Sequence, residues 1–311
     1  MSGIKTVFIT GPTASGKTAL SVRLAKEFGG EIVSADSMQI YRGIHIASAA
    51  PDEEEKCGVP HHMLEFLEPE SEFSVADYTK AARKIIKDIN SRGRLPIVVG
   101  GTGLYINALA DNTAFITEKA DGMLRDRLEK RFDSIGGMAM LKELEAIDPV
   151  SAAKLHPNDR KRIVRALEVY SLTGETKTRQ NELSKTGEKI INPLFIGITY
   201  KDRQRLYDRI NLRVDKMLEN GLLNEAEAAL NRSGGGAFQA IGHKELAGYI
   251  NGECTLDEAA KRLKMQTRRY AKRQLTWFNK NERIHWLYPD ENADIFAAVA
   301  ALINKFLSEE D

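Results

Sequence analysis

The residues best suited to chemistry stand near the amino terminus, where glycines precede a lysine and a threonine. Residues 11–18 fit the phosphate-binding pattern G-x-x-x-x-G-K-[ST]. In such a loop the backbone N–H groups point at phosphate oxygens, Lys17 adds a positive charge, and the Thr18 hydroxyl can hold Mg²⁺ or a phosphate oxygen. The sequence therefore predicts a site for a di- or triphosphate, which need not be ATP. We expect contacts to phosphate from the whole loop, which consists of Gly11, Pro12, Thr13, Ala14, Ser15, Gly16, Lys17 and Thr18.

A carboxylate follows the second predicted strand. Asp36 comes directly after residues 31–34 and could coordinate Mg²⁺ beside the phosphates or act as a general base. Asp is also common at helix N-caps, and the local sequence leaves that interpretation open. P-loop ATPases usually carry a second acidic residue at the end of an apolar strand. Here the predicted strand at residues 95–99 ends in glycine, which weakens an ATPase interpretation.

Strands and helices alternate along the first hundred residues. Strands are predicted at residues 6–10, 31–34 and 95–99, and Ser74 is predicted to cap a helix that has Asp77 in its first turn. Such alternation predicts a parallel sheet with helices on both faces. Ligands of these sheets bind at the carboxyl ends of the strands, so the phosphate loop and the side chains that follow these strands should lie on one rim.

The strand pattern stops in the middle of the chain. Residues 117–190 are charged and show only helical periodicity, and strand signals return near residue 193. The predicted fold class is therefore α/β, with a P-loop NTPase-like parallel sheet flanked by helices and a helical insertion domain. Residues 1–116 and 191–311 are assigned to the core, and residues 117–190 to the insertion.

Positive charge is concentrated in the second half of the chain. Residues 1–150 carry a net charge of −4 and residues 151–311 a net charge of +5. We name residues 160–165 the insertion cluster and the nine Lys and Arg residues of the stretch 261–283 the C-terminal cluster. Unbalanced positive charge with interleaved aromatic residues favours nucleic-acid binding, whereas a single basic helix is usually a solvated face. Two separate clusters favour the nucleic-acid interpretation.

Other classes of protein are disfavoured by the composition. The only cysteines are Cys57 and Cys254, so no disulfide framework is expected. Cys57 with His61 and His62 lacks a second ligand pair at metal-binding spacing, and structural histidines are expected. Neither a leader sequence nor a long apolar run is evident, so we expect a cytoplasmic protein without membrane contact, and a monomer.

Taken in order, the motifs of the chain resemble those of the bacterial tRNA dimethylallyltransferases. The match spans almost the whole sequence, and the pair GPTASGKT and DSMQIYRGI is its most specific part. The matching stretches are GPTASGKT at 11–18, DSMQIYRGI at 36–44, PHHM at 60–63, FSVADY at 73–78, PIVVGGTGLYI at 96–106, HPNDRKRIVRALEVY at 156–170, TG at 173–174, IGHKE at 241–245 and KRQLTWF at 272–278.

The resemblance implies a reaction and its partners. A dimethylallyl group would pass from dimethylallyl diphosphate to N6 of the adenosine at position 37, just 3′ of the anticodon, in tRNAs that read codons starting with U. The resemblance assigns Asp36 as the base, and Thr18 and Arg209 to the binding of the diphosphate. It implies Mg²⁺ as cofactor and the anticodon stem-loop as partner. The implied tRNA contacts are Asp36, Ser37, Met38, Gln39, Thr102, Lys161, Arg162, Ile163, Val164, Arg165, Gln239, Ala240, Ile241, Gly242, His243, Lys244, Lys272, Arg273 and Gln274.

Two stretches depart from the family pattern. Where the family usually has Gly-Thr-Ala-Lys-Pro, residues 47–51 read Ala-Ser-Ala-Ala-Pro, and His243 replaces a usual Tyr. Three alternatives stay open: a P-loop small-molecule or nucleotide kinase, a non-catalytic RNA-binding relative, and an enzyme that prenylates free AMP. The kinase does not explain the basic clusters, and intact Lys17, Thr18 and Asp36 disfavour a non-catalytic protein. An AMP-modifying enzyme has little use for two basic clusters.

Overall fold

A single parallel sheet organises the chain. The computed structural model describes residues 3–113, 122–184, 189–231, 237 and 240–309. Within these residues the sheet has six strands, which are β1 (Ile4–Thr10), β2 (Gly30–Ser34), β3 (His61–His62), β4 (Leu95–Gly100), β5 (Ile191–Ile198) and β6 (Ile284–Leu287). Their order across the sheet is β3-β2-β4-β1-β5-β6, and every neighbouring pair is parallel. The predicted α/β fold class is therefore confirmed.

Helices cover the sheet and extend the chain beyond it. In the first part of the chain they are α1 (Lys17–Glu27), α2 (His45–Ser48), α3 (Glu53–Lys56), α4 (Val75–Ser91) and α5 (Gly103–Ala110). The middle part contains α6 (Gly122–Ile135), α7 (Gly137–Ile147), α8 (Pro149–Ala152), α9 (Arg160–Thr173) and α10 (Lys177–Leu183). The last part contains α11 (Arg203–Glu219), α12 (Leu222–Leu230), α13 (His243–Ile250), α14 (Leu256–Phe278) and α15 (Ile295–Ser308).

Strand β1 lies at the centre of the sheet, and its side chains alternate between two apolar layers. Phe8 packs in the layer that includes Tyr78 of α4 and Phe195 of β5. The neighbouring residue Ile9 packs in the opposite layer, where α1 and α15 cover the sheet. Because successive strand residues face opposite sides, a strand covered on both faces must be apolar throughout. This is why Val7, Phe8 and Ile9, at the centre of β1, are all apolar and fully buried.

Local sequence signals placed the helix ends well. Ser74 caps α4 as predicted: its hydroxyl accepts from the Asp77 N–H at 3.2 Å, and the Asp77 carboxylate accepts from the Ser74 N–H at 3.0 Å. Residues 203–230 form two helices, α11 and α12, rather than one. The chain turns between them at residues 220–221.

The described chain divides into two compact units. One comprises Met1–Ala110 and Lys189–Asp311 and contains the sheet, and the other is Asp111–Glu188. The second unit is helical and has its own apolar core, formed by Leu128 of α6, Leu144 of α7 and Leu167 of α9 among others. Among the described residues, no helix combines the length and the apolar character needed to cross a bilayer.

A buried carboxylate ties the edge of the sheet to α4. Glu31 of β2 is buried, and both of its oxygens accept from the Arg92 guanidinium, one of them from Nη2 at 2.9 Å. His62 of β3 adds a contact from Nε2 at 2.8 Å. The Arg92 hydrogen bonds, with help from His62, lower the pKa of Glu31 to about 2. The charged form of Glu31 is therefore favoured by folding.

This ion pair predicts a pH-dependent share of stability. Glu31→Gln should lower the free energy of unfolding by about 1–3 kcal/mol at neutral pH, the usual worth of hydrogen bonds to a charged group. The share is complete above the ordinary Glu pKa and is lost as pH falls towards about 2. Urea unfolding of both proteins at neutral and acidic pH measures the difference, which should shrink in acid. The exposed Glu27→Gln is the matched control, and a difference independent of pH would contradict the assignment.

Candidate active site

The phosphate loop connects β1 to α1 and forms one end of a cavity. Gly16 immediately precedes α1 and has φ of +95°, a left-handed conformation that disfavours any side chain. Lys17, the first residue of the helix, donates from Nζ to the Pro12 carbonyl at 2.6 Å and so folds back over the loop. The loop thus has the strand–turn–helix setting that its function as a phosphate site requires.

A cavity of about 330 Å³ opens beside the loop. Three kinds of side chain line it. The loop contributes Thr13, Lys17 and Thr18; charged groups from elsewhere are Asp36, Arg213 and Arg273; and apolar side chains include Ala47, Ala49, Val214, Met217, Ile241 and Leu263. A ligand with a phosphate end and an apolar end fits this division.

Asp36 lies at the carboxyl end of β2 and lines the cavity. Its Oδ1 accepts from the Met38 N–H at 2.9 Å within a turn, so the carboxylate caps a turn rather than a helix. Burial raises the pKa of Asp36, and the charges of Lys17 and Arg213 act in the opposite direction. A carboxylate whose pKa is raised in this way is a better proton acceptor than one in water.

Two cations of the cavity are also desolvated. Burial lowers the pKa of Lys17 to about 7, with a further lowering by Arg213 and an opposing effect of Asp36. Burial likewise lowers the pKa of Arg213, which senses Asp36 and Glu55 as compensating charges. These groups need an anion more than exposed cations do, because water does not stabilise their charge.

Arg213 is the cavity residue that the sequence reasoning missed. The resemblance assigned Arg209 to the diphosphate, and Arg209 does touch the loop, donating from Nε to the Ala14 carbonyl at 2.9 Å. Arg209 is not among the cavity-lining residues, however, whereas Arg213 is. Both lie on α11, four residues apart and hence on one helix face. The four-residue spacing between Arg209 and Arg213 was the sequence signal that could have identified Arg213.

Helix α14 closes the rim of the sheet through Gln274. Its side-chain Oε1 accepts from the Thr13 N–H at 2.9 Å, and its Nε2 donates to the Gly101 carbonyl at 3.0 Å. The helix approaches so closely that a side chain at Gly103 would collide with Trp277. The tRNA contact expected of Gln274 stays a prediction; in the structure its buried amide connects the phosphate loop to the end of β4.

Polar side chains of the predicted RNA-contacting segment connect neighbouring strand ends. Thr102 accepts from the Ser37 N–H at 3.0 Å, joining the segments that follow β4 and β2. Gln39 accepts from the Ser34 hydroxyl at 2.8 Å and donates to the Ala49 carbonyl at 3.1 Å. Ser37, Met38 and Gln39 line the cavity, as Asp36 does, while Thr102 is partly exposed beside it.

Several residues expected to contact tRNA have side chains that are part of a core, and their tRNA contacts stay predictions. Ile163 and Val164 pack in the core of the helical unit, because α9 needs an apolar face there. Ala240, Gly242 and His243 are buried as well, and Ile241 packs against neighbouring apolar residues and lines the cavity. These buried side chains support the segments whose charged residues are exposed at the surface. Gln239 lies outside the described residues.

The charged residues of the same segments are exposed. Lys161 and Arg162 of α9, Lys244 of α13, and Lys272 and Arg273 of α14 all present their side chains at the surface. Arg165 is half-exposed but donates to the buried Glu168 carboxylate at 2.8 Å. The RNA contacts assigned to them stay predictions.

The aromatic residues that are interleaved with the C-terminal cluster also differ in how accessible they are. Tyr270 lines the cavity, whereas Phe278 is buried in the core of the sheet. Trp277 is partly exposed, and its indole packs closely against Gly103. Phe278 therefore has no face available for stacking a base.

The oxygen atoms around the phosphate loop suit a Mg²⁺ ion that is coordinated partly by the protein and partly by the phosphates of a bound substrate. Within the described ranges there is no group of three or more His, Cys, Asp or Glu residues that could hold a metal by itself. Mg²⁺ commonly takes one or two protein oxygens and fills its remaining positions with phosphate oxygens and water. The Thr18 hydroxyl and the Asp36 carboxylate, which share the cavity, can supply those protein oxygens.

Fold and site together define a phosphate-loop α/β enzyme with a part-buried carboxylate in its cavity. The model of one family, IPP transferase, matches residues 39–281. The chain belongs to this family. A tRNA dimethylallyltransferase from Caldanaerobacter subterraneus subsp. tengcongensis is 46% identical over 294 residues, which are 93% of each chain. A second, from Acetivibrio thermocellus, is 48% identical and covers 91% of each chain.

Solved structures give the same result. The full-length tRNA isopentenylpyrophosphate transferase from Bacillus halodurans is 42% identical, with a TM-score of 0.69 and 97% of each chain covered. A eukaryotic dimethylallyltransferase described as acting on tRNA is 31% identical, with a TM-score of 0.84; the match covers 99% of this chain and 81% of that one.

The desolvated Lys17 predicts that diphosphate affinity depends on pH. Because the pKa of Lys17 in the empty site is about 7, the amine loses its charge as pH rises through that value. Binding of inorganic pyrophosphate should therefore take up a proton, and the affinity should fall above about pH 7 by at most about tenfold per pH unit. Calorimetry in buffers of different ionisation enthalpy measures both quantities.

Lys17→Arg separates this effect from the titration of the ligand. Arginine stays charged throughout, so the variant should lose the decline in affinity above about pH 7 while still binding pyrophosphate. Equal pH profiles for the two proteins would show that Lys17 does not titrate in this range.

Proposed function

We propose that this chain transfers a dimethylallyl group from dimethylallyl diphosphate to N6 of the adenosine at position 37 of tRNA. The observation that carries the proposal is one cavity that is lined by the phosphate loop, by the part-buried Asp36 carboxylate and by apolar side chains. A phosphate loop alone would serve many reactions. The addition of Asp36 and of the apolar lining favours a substrate with a prenyl chain and an acceptor that must lose a proton.

The leaving group is the diphosphate. Breaking the bond between C1 of the prenyl chain and oxygen leaves the electron pair on the diphosphate, whose growing negative charge needs stabilisation. Lys17, Arg213 and the loop N–H groups supply it in a site from which water is largely excluded, where such contacts are strongest. Lys17 is released from the Pro12 carbonyl as it turns to the phosphate.

The acceptor is the exocyclic amine of adenine, a poor nucleophile because its lone pair is delocalised into the ring. As N6 forms its bond to C1, it must lose a proton, which passes to the Asp36 carboxylate. The Met38 N–H holds one oxygen of Asp36, which fixes the direction of the carboxylate. Burial keeps Asp36 basic enough for this role.

A divalent cation fits beside these groups. Mg²⁺ bound by Thr18 and by Asp36 or the phosphates would neutralise part of the diphosphate charge as the leaving group departs. The protein's own contribution stays the same: it holds the diphosphate, aims the carboxylate and keeps the prenyl chain away from water.

The target base must leave its stack to reach a cavity of this kind, as bases do in other enzymes that act on them. The backbone of the RNA then needs positive charge at the protein surface. Exposed Lys161, Arg162, Lys244, Lys272 and Arg273 provide it in the two basic clusters and on α13. The substrate is tRNA, and the expected location is therefore the cytoplasm.

Mass spectrometry of tRNA tests the proposal directly. Incubation of the protein with tRNA, Mg²⁺ and dimethylallyl diphosphate should add one prenyl group to adenosine. Transfer of label from ATP, without prenyl incorporation, would instead establish a kinase. Prenylation of AMP in preference to tRNA would establish the free-nucleotide alternative, and RNA binding without either reaction would establish a non-catalytic protein.

Replacement of the proposed base tests the role of Asp36. Asp36→Asn should slow prenyl transfer by roughly 10²–10⁴, the usual worth of general-base catalysis. Single-turnover rates measure the loss, and unchanged pyrophosphate binding serves as the control for the fold. In the wild type the rate should fall in acid as Asp36 becomes protonated. Near-normal turnover by the variant would remove Asp36 from the mechanism.

The exposed cations predict a salt dependence. Each Lys or Arg that neutralises a phosphate releases condensed counterions, so Arg269→Ala with Lys272→Ala should flatten the plot of log affinity against log salt by roughly 0.7–0.9 per contact. Both side chains are exposed on α14. Lys161→Ala with Arg162→Ala should act similarly on the other unit, and tRNA filter binding measures each slope.

Lys261→Ala is the matched control, because this exposed residue of α14 is already paired with Asp257 at 2.5 Å. It should leave the slope nearly unchanged. If both pairs of substitutions behaved like the control, the two clusters would be solvated faces without RNA contacts.

A further inference from the structure

Residues 46–49, named here the wall segment, line the cavity and also pack against an apolar core that contributes to its lining. Ala47, Ser48 and Ala49 line the cavity. On the other side, Ile46 and Ala47 pack against the cluster of buried residues formed by α11, α12, α13 and α14. The position of this short segment therefore sets the size of the cavity at its apolar end.

A single carboxylate fixes the wall segment from behind. Oε2 of Glu225 accepts from the Ile46 N–H at 2.7 Å, and Oε1 accepts from the Ala47 N–H at 2.9 Å. Glu225 lies on α12, far away in sequence, and its side chain is only 10% exposed. Both oxygens are thus committed to the backbone of the wall segment. From the other direction, Gln39 donates to the Ala49 carbonyl, so the segment is held at both ends.

His243 orients the carboxylate. Its side chain is fully buried, and Nε2 lies 3.2 Å from Oε1 of Glu225. Because a carboxylate only accepts, Nε2 is the protonated nitrogen and donates to Glu225. The other charged groups on α13 itself are Glu245, which accepts from the Gly242 N–H, and Lys244, which is exposed. The buried histidine therefore has one polar task among its described contacts, which is to hold Glu225.

The chain departs from its family pattern at both partners of this carboxylate. The departures were residues 47–50 and His243, which lie almost two hundred positions apart in sequence. Glu225 contacts both the first residue of the first departure and the second departure.

We propose that Glu225 and His243 are positioning residues that set which prenyl chain the cavity accepts. The inference rests on the proposed function. They act through the wall segment, whose Ala47 and Ala49 stand with Val214 and Met217 around the apolar end of the cavity. A wall held by two backbone hydrogen bonds stays close to a five-carbon chain and excludes the ten-carbon chain of geranyl diphosphate. A loosened wall gives way to the longer chain.

Glu225→Gln tests the carboxylate. Glutamine keeps one acceptor oxygen but places its side-chain NH2 group, which is a donor, against a backbone N–H. One of the two backbone N–H groups, of Ile46 or of Ala47, therefore loses its acceptor. The ratio of kcat/KM for dimethylallyl diphosphate to that for geranyl diphosphate should fall by about tenfold or more, the scale on which a pocket senses added methylenes. The exposed Glu227→Gln on the same helix is the matched control and should keep the wild-type ratio.

His243→Phe and His243→Tyr separate orientation from packing. Phenylalanine has no donor and should lower the ratio, whereas tyrosine can donate to Glu225 and should restore much of it. Hydrogen exchange at the Ile46 and Ala47 amides gives a readout that does not depend on turnover. Both amides should exchange faster in Glu225→Gln than in the wild type. The amides of the central strand β1 are the internal control and should exchange at the same rate in both proteins.

The outcomes separate the two proposals. If the wild type prenylates no tRNA, the proposed function fails whatever these variants do. If the wild type is active but Glu225→Gln and His243→Phe keep both the wild-type selectivity ratio and the protection of the two amides, this inference is overturned. A loss of activity towards both diphosphates in equal proportion, with the ratio unchanged, also contradicts it.

Discussion

Burial of opposite charges in one cavity is the constraint on which the rest of the site depends. Lys17, Arg213 and Asp36 are all desolvated; Arg213 and Asp36 shift the pKa of Lys17, and Asp36 opposes the lowering of the Arg213 pKa by burial. Desolvated charges are costly unless they are paired, so the empty cavity is poised to receive an anion next to its cations. The same burial that makes Lys17 a titrating group near neutrality keeps Asp36 basic. The site is therefore complementary to a diphosphate, which its cations bind, and to a proton donor, which Asp36 accepts from.

The scaffold meets this constraint with long-range hydrogen bonds at the carboxyl edge of the sheet. Gln274 of α14 connects the phosphate loop to the end of β4, and Thr102 connects β4 to the turn that carries Asp36. Glu225 then fixes the apolar wall. Each of these side chains binds backbone that is distant in sequence. The geometry of the cavity is thus set by a few polar side chains between elements, while the apolar layers on both faces of the sheet keep those elements in place.

The parts of the structure that could be predicted from sequence are those determined locally. The phosphate loop, the capping box of α4 and the apolar strands depend on neighbouring residues, and they were confirmed. The break between α11 and α12 is not evident from the sequence pattern, because both helices are amphipathic and the pattern continues through the turn. Arg213, Gln274 and Glu225 acquire their roles only through contacts between distant elements. Ile163 and Val164 were assigned to RNA through the resemblance to the family, which covers the whole stretch 161–165, and their side chains pack in the core of the helical unit.

A crystal structure with dimethylallyl thiolodiphosphate, an analogue that reacts slowly, tests the central claim most directly. The account predicts that the terminal phosphate lies within hydrogen-bonding distance of the loop N–H groups of residues 13–18. Lys17 should have moved from the Pro12 carbonyl to the phosphate. The prenyl chain should run along the wall segment, with C1 facing Asp36. An analogue bound outside this cavity, or one whose C1 points away from Asp36, would contradict the account.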